Sequence, residues 1–284
     1  MAEAAATLEV AEKPFGVELA TLRHLAGLLP GARPTAVNGV RFAASVRARK
    51  LVIGGNDETP VTMPRTAFQV VYPDGTVMLD AGMDQATHES FGGSEPYFPA
   101  EFAKLQRALD TARMIVLTHH HADHAGGILT APNFETLAAK TLISAETARC
   151  LVETPHRPHL KLDAAAIDRF IVHDYPKLCP VAPGMVMIKA PGHSRDSQMV
   201  YIRLQSGREI LHSVDSAWNM DNIRLLKPKA APWVKEDVPQ VMGELRWLKH
   251  LSETERDLTI LVTHDEALFS SLAESGAIGR ELKN

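Results

Sequence analysis

The chain is short of cysteine, of long apolar runs and of net charge, and each shortage excludes something. Two cysteines, Cys150 and Cys179, cannot build the disulfide framework of a small secreted domain. They read as two free thiols, with one bridge left open for an exported protein. No stretch reaches the ~18 to 20 apolar residues of a membrane-spanning helix. A net charge of −4 gives no general pull toward nucleic acid or an anionic membrane. There is no internal repeat and no low-complexity tract. Residues 1–16 are Ala-rich with Glu3, Glu9 and Glu12, and lack the basic start and apolar block of a secretory signal. The expectation is a flexible leader over 1–16 and a single domain over 17–284. The protein is expected in the cytoplasm, or in the periplasm with a signal removed.

What is present is an ordinary globular composition, 45% hydrophobic and 23% charged over 284 residues, enough for a sizeable core. Strand-like and helix-like segments alternate along it. Ala67 to Tyr72 and Thr76 to Leu79 read as strands joined by a Pro73-Asp74-Gly75 turn. Arg113 to Leu117 is almost wholly apolar, as in a strand buried on both faces. Further strands are predicted at 141–143, 185–189, 198–204, 209–214 and 258–262. Helices are predicted at 17–29, 101–109, 145–152, 238–251 and 266–274. Residues 36–52 look irregular, with a β-like stretch at 39–42. The alternation predicts a layered α/β domain with sheets inside and helices outside.

The chemistry is concentrated in Thr118-His119-His120-His121-Ala122-Asp123-His124-Ala125-Gly126-Gly127. The run follows a buried strand, where open α/β folds place their sites. Imidazole and carboxylate are normal zinc ligands. So many of them in six positions would be costly to bury together without a cation. Three more candidates stand just past short apolar strands: His193 after 185–189, Asp215 after 209–214 and His264 after 258–262.

His-x-His-x-Asp-His, then Gly192-His193-Ser194, then Asp215 and His264, resembles the ligand series of the metallo-β-lactamase superfamily. The steps of 69, 22 and 49 residues between His124, His193, Asp215 and His264 are similar to its lactonase and glyoxalase branches. That resemblance implies an αββα sandwich, two mixed β-sheets flanked by helices. It implies two zinc ions, with iron, manganese or cobalt also accepted by such ligands. His119, His121 and His193 would hold the first ion, Asp123, His124 and His264 the second, and Asp215 would bridge both. Asp80 would support the site from a strand end. Two departures stand out: the usual Gly before the bridging Asp is Val214, and the Thr that often follows Gly-His is Ser194.

The implied activity is a dinuclear-zinc hydrolase in which a metal-bridging hydroxide attacks the carbonyl of a small-molecule lactone or ester. Asp123 would be the catalytic residue that orients the nucleophile and carries its proton. The alternatives are a β-lactamase, a glyoxalase-type thioester hydrolase and an oxidoreductase resembling the mononuclear-iron persulfide dioxygenases. The first is disfavoured by the bridging Asp215, and the second by the lack of a basic cluster for glutathione carboxylates. A purely structural metal protein is disfavoured because structural zinc sites are closed and four-coordinate. The expected partner is a small-molecule substrate, with neither nucleic acid nor membrane.

Loops 84–98 and 216–233 are expected to surround the metals, with Tyr97, Phe98, Trp218 and Asn219 as candidate substrate contacts. The remaining histidines are assigned lesser roles. His120 should point away from its neighbours, and His212 should be packed. His24 and His250 are read as structural. His88, His156, His159 and His173 are read as loop residues.

Overall fold

Two 13-residue strands, β1 (Ala36–Ala48) and β2 (Pro60–Tyr72), form a long antiparallel pair and open the first sheet. The structure, a computed structural model, describes residues 12–92 and 94–284. β2 turns into β3 (Gly75–Leu79) through Pro73-Asp74, and Gly75 takes the positive φ of 150° that the turn requires. From β3 the sheet continues in parallel through β4 (Met114–Val116), β5 (Thr141–Ser144) and β6 (Ile171–His173). The second sheet has the order β11-β10-β9-β8-β7. Its members are β7 (Leu178–Ala182), β8 (Met185–Lys189), β9 (Gln198–Arg203), β10 (Glu209–Val214) and β11 (Leu258–Val262). Only the β10–β11 pair is parallel in that sheet, so both sheets are mixed.

Side-chain alternation explains the layers. On β8, Met185 and Met187 enter the core shared with Val70, Val77 and Leu79 of the first sheet. Val186 and Ile188 face the other way, onto Val241, Leu245 and Leu248 of the helix Val238–Thr254. On β3, Met78 meets Leu105 and Leu109 of the helix Pro99–Thr111. The result is helix, sheet, sheet, helix. Each fully buried aliphatic side chain contributes roughly 1.5–3 kcal/mol.

The structure revises some expectations. The segment read as irregular, 36–52, is mostly β1, bent where its register shifts between Arg41 and Ala43. The first helix is shorter than 17–29 and spans Leu19–Leu25. Part of the expected leader, residues 1–11, lies outside the described residues. Its last residues are packed rather than loose: Phe15 is buried against Trp247, and Lys13 N donates to Pro239 O. An aromatic ring that finds a partner on a core helix is held there by the apolar area it covers. Cys150 and Cys179 are both free and buried. Among the described residues, no helix is long and apolar enough to cross a membrane.

Candidate metal centre

The predicted ligands all stand just beyond the C-terminal ends of strands, so both sheets deliver them to one edge of the sandwich. His119 and His121 follow β4. Asp123 and His124 lie in the first turn of the helix Ala122–Leu129, where the macrodipole favours a carboxylate. His193 follows β8, Asp215 follows β10 and His264 follows β11. The helix carrying Asp123 and His124 is pressed against the end of β3: Gly127 N donates to Gly82 O at 2.7 Å, and a Cβ at Gly127 would sit 2.0 Å from Ala81 O.

The seven side chains fall into two groups able to hold a cation, His119–His121–His193–Asp215 and Asp123–His124–His264, each with its ligand atoms within 4.8 Å of one another. Asp215 faces both. Its Oδ2 lies 3.3 Å from His193 Nε2, and its Oδ1 lies 3.4 Å from both His124 Nε2 and His264 Nε2. His119 Nε2, His124 Nε2 and Asp215 Oδ1 are buried without a hydrogen-bond partner. Buried polar atoms are rarely left so. Three orphaned ligand atoms converging on one space are what a metal site looks like from the protein side.

Electrostatics agree. Burial pushes the His119 and His121 imidazoles well below their usual range, aided by the neighbouring imidazoles, so both present neutral nitrogens. Burial works against the charge on Asp123 and Asp215, yet their surroundings hold both carboxyls far below the usual range: Arg65, His124 and His264 for Asp123, and His264 and His124 for Asp215. His124 is driven well above its usual range, against its burial, by Asp80, Asp215 and Asp123. A divalent cation displaces such protons and satisfies the same carboxylates.

The outward-facing atoms of the ligands are also held. Asp80 accepts from Thr118 N at 2.8 Å, Thr118 Oγ1 at 2.9 Å and His124 Nδ1 at 2.8 Å. His264 Nδ1 donates to Pro64 O at 2.7 Å. Trp218 Nε1 donates to Asp215 Oδ2 at 3.0 Å. Such contacts fix the tautomer and angle of a ligand. Asp80 takes φ 64° and Val214 takes φ 49°. Position 214, where the resemblance implies glycine, therefore takes the left-handed conformation, and a β-branched residue occupies it.

The site opens into a cavity of about 640 Å³. Its walls come from the β1–β2 hairpin (Met63, Arg65), from Phe91, from the 150–156 stretch and from Trp218 and Trp233. Of the four candidate substrate contacts, only Trp218 lines it. Tyr97 is turned inward, donating from its hydroxyl to Met83 O. Phe98 precedes the helix Pro99–Thr111 and lies under the Arg41 guanidinium. Asn219 caps the helix Met220–Leu225 with its side chain. Those three are structural, because their polar or aromatic groups already have partners in the fold.

His120 does turn aside: Nδ1 lies 2.9 Å from Asp196 Oδ1. Burial opposes its charge, but hydrogen bonds to Asp196 and Cys150 outweigh it and lift it to about 9. His156, read as a loop residue, lines the cavity and accepts from Ala122 N at 2.9 Å. His88 is wholly buried, and His212 packs against Phe68 with burial lowering it to about 4. The sequence reading missed Arg65, Lys229, Glu236 and Glu244. Glu244 carried a signal, a charged residue on the same helical face as Val241, Leu245 and Leu248.

Residues 62–132 match the family described as the metallo-beta-lactamase superfamily. An N-acyl homoserine lactonase of Bacillus thuringiensis is 25% identical over 230 residues, covering 72% of this chain and 82% of that protein. Among solved structures, a quorum-quenching N-acyl homoserine lactone lactonase superposes with a TM-score of 0.67 at 16% identity, covering 85% of this chain and 97% of that one. AidC, a dizinc quorum-quenching lactonase, gives 0.60 at 15% identity, covering 82% and 89%. The sandwich of two mixed sheets flanked by helices is thus a fold this chain shares with those lactonase structures.

Proposed function

We propose that the chain is a lactonase-like hydrolase that uses two divalent cations, zinc in the first instance, to open a small-molecule lactone or ester. His119, His121 and His193 would hold one ion, Asp123, His124 and His264 the other, and Asp215 would join them. The observation that carries this reading is the pair of ligand groups with orphaned buried atoms at the floor of one cavity. Two groups favour two ions over the single iron of a dioxygenase-like site. The lactonase relatives favour lactones over lactams or thioesters.

Cations held by these residues would supply an activated water at neutral pH and would stabilise negative charge developing on the substrate. The rest falls to the chain. Asp123, held as a carboxylate, would orient the attacking water and take its proton. Trp218 fixes Asp215 and forms a wall of the cavity, and with Met63, Phe91 and Trp233 it offers an apolar surface to an acyl group.

The test is a panel on zinc-loaded protein: acyl homoserine lactones, aryl esters, S-lactoylglutathione, a cephalosporin and a phosphodiester. Lactone turnover should dominate. Asp123→Ala and His264→Ala should each abolish most of it while leaving the fold intact, and a wild-type rate in both would discard the two-ion site.

A further inference from the structure

Behind the candidate centre lies a closed circuit of buried polar groups. Lys229 is a lysine whose side chain is 1% exposed. Its ammonium donates to Asp215 O at 2.6 Å and Ser216 O at 3.0 Å, and pairs with Glu236 Oε1 at 2.7 Å. The same Glu236 oxygen lies 2.9 Å from His193 Nδ1. On the far side, Glu244 accepts from Ser216 Oγ at 2.8 Å and from Gly192 N at 3.0 Å. Asp237 N donates to Gly192 O at 2.9 Å. One segment, 229–244, therefore ties the loop that carries His193 to the loop that carries Asp215, at both ends.

We propose that the Lys229–Glu236 pair is a positioning device for the cation site formed by His119, His121, His193 and Asp215, setting that site's affinity separately from that of the Asp123–His124–His264 group. The inference rests on the two-ion reading above but not on the substrate. An ammonium has three donors, and here each meets an acceptor: two carbonyls that fix the peptide units on either side of Ser216, and the carboxylate that fixes the His193 ring. Glu236 receives His193 Nδ1–H, which leaves Nε2 as the lone-pair nitrogen aimed at Asp215. The pair also cancels its own charge, so the lysine does not repel a nearby dication. Removing one member leaves a charge buried without its partner, whereas removing both leaves a neutral site.

Stepwise zinc affinities of the metal-free protein, measured by competition with a chromophoric chelator, test this without any substrate. Glu236→Gln, which keeps the shape of the side chain, should weaken one of the two steps by roughly 10- to 100-fold and leave the other within about two-fold. Lys229→Met should do the same, and Lys229→Met/Glu236→Gln should lose less than the two single losses combined. The cobalt(II) spectrum should change for the affected step only. If Glu236→Gln folds, as judged by near-ultraviolet circular dichroism, and binds both zinc ions as wild type does, the proposal is wrong. It is equally wrong if both steps weaken alike, because that would mark a general packing role. Should Lys229→Met not fold, the Glu236→Gln result decides alone. A protein that shows the predicted affinities but opens no lactone would leave this inference standing and remove the lactonase assignment.

Discussion

Arg65 donates from Nη1 to Asp123 Oδ2 at 2.8 Å, with both side chains about nine-tenths buried. The guanidinium thus holds one of the carboxylates assigned to a cation. In the metal-free protein it is a main partner of that charge, but with the ion bound it is one of two. Removing it should therefore harm the two states unequally. Arg65→Met is expected to destabilise the metal-free protein by about 3 kcal/mol, the usual scale for breaking a buried pair, and the zinc-loaded protein by clearly less. Thermal melts in chelator and in excess zinc measure both, and equal losses would separate Arg65 from the metal chemistry.

Asp80 joins β3 to the loop after β4 and to the helix Ala122–Leu129, because its three acceptor contacts go to Thr118 and His124. Asp80→Asn keeps the volume but puts an amide where one carboxylate oxygen accepted. Zinc affinity at the group containing His124 should drop by roughly 10- to 100-fold, with little change in secondary structure. Isothermal titration with zinc reads the effect. An unchanged isotherm would mean that Asp80 only terminates a strand.

The sequence exposed the seven converging side chains because each follows a strand apolar enough to be recognised, and because coordinating residues cluster there more densely than packing alone tolerates. The cavity walls were harder. Arg65 and Met63 sit on a strand that contains Pro60 and Pro64, and proline demotes a strand reading. Tyr97, Phe98 and Asn219 looked like substrate contacts because they occupy loops, but a loop aromatic or amide is as readily consumed by helix caps and neighbouring carbonyls. Lys229 and Glu236 lie in a stretch without regular structure, where no periodicity indicates which side chains turn inward.

Val214 should reverse an ordinary ranking. At most positions alanine is more stable than glycine by up to ~1 kcal/mol. At φ 49° an L side chain is strained, at a cost of about 1–2 kcal/mol. Val214→Gly and Val214→Ala both lose the two buried γ-methyls, and glycine loses the Cβ as well, so their difference sets relief of the backbone against one buried carbon. Val214→Gly should be at least as stable as Val214→Ala in urea unfolding, and a clear advantage for alanine would show that the loop relaxes away from the left-handed region.

Glu244 predicts a pH dependence of definite sign. Burial is the dominant influence and raises its carboxyl to about 7, against the opposing hydrogen bonds from Ser216, Gln240 and Gly192. The folded protein therefore holds this proton more tightly than the unfolded chain, whose glutamate titrates near 4.5. Its contribution is fully present below the unfolded value and is lost as pH rises toward about 7. Between those limits the native state binds more protons, so stability should fall with rising pH, by a total on the order of 3 kcal/mol. Glu244→Gln stays neutral and can still accept from Gly192 N. Its stability should be flatter over that interval and higher than wild type above pH 7, when both are measured by urea unfolding in chelator. Parallel curves for the two proteins would show that Glu244 is charged throughout and that the slope arises elsewhere.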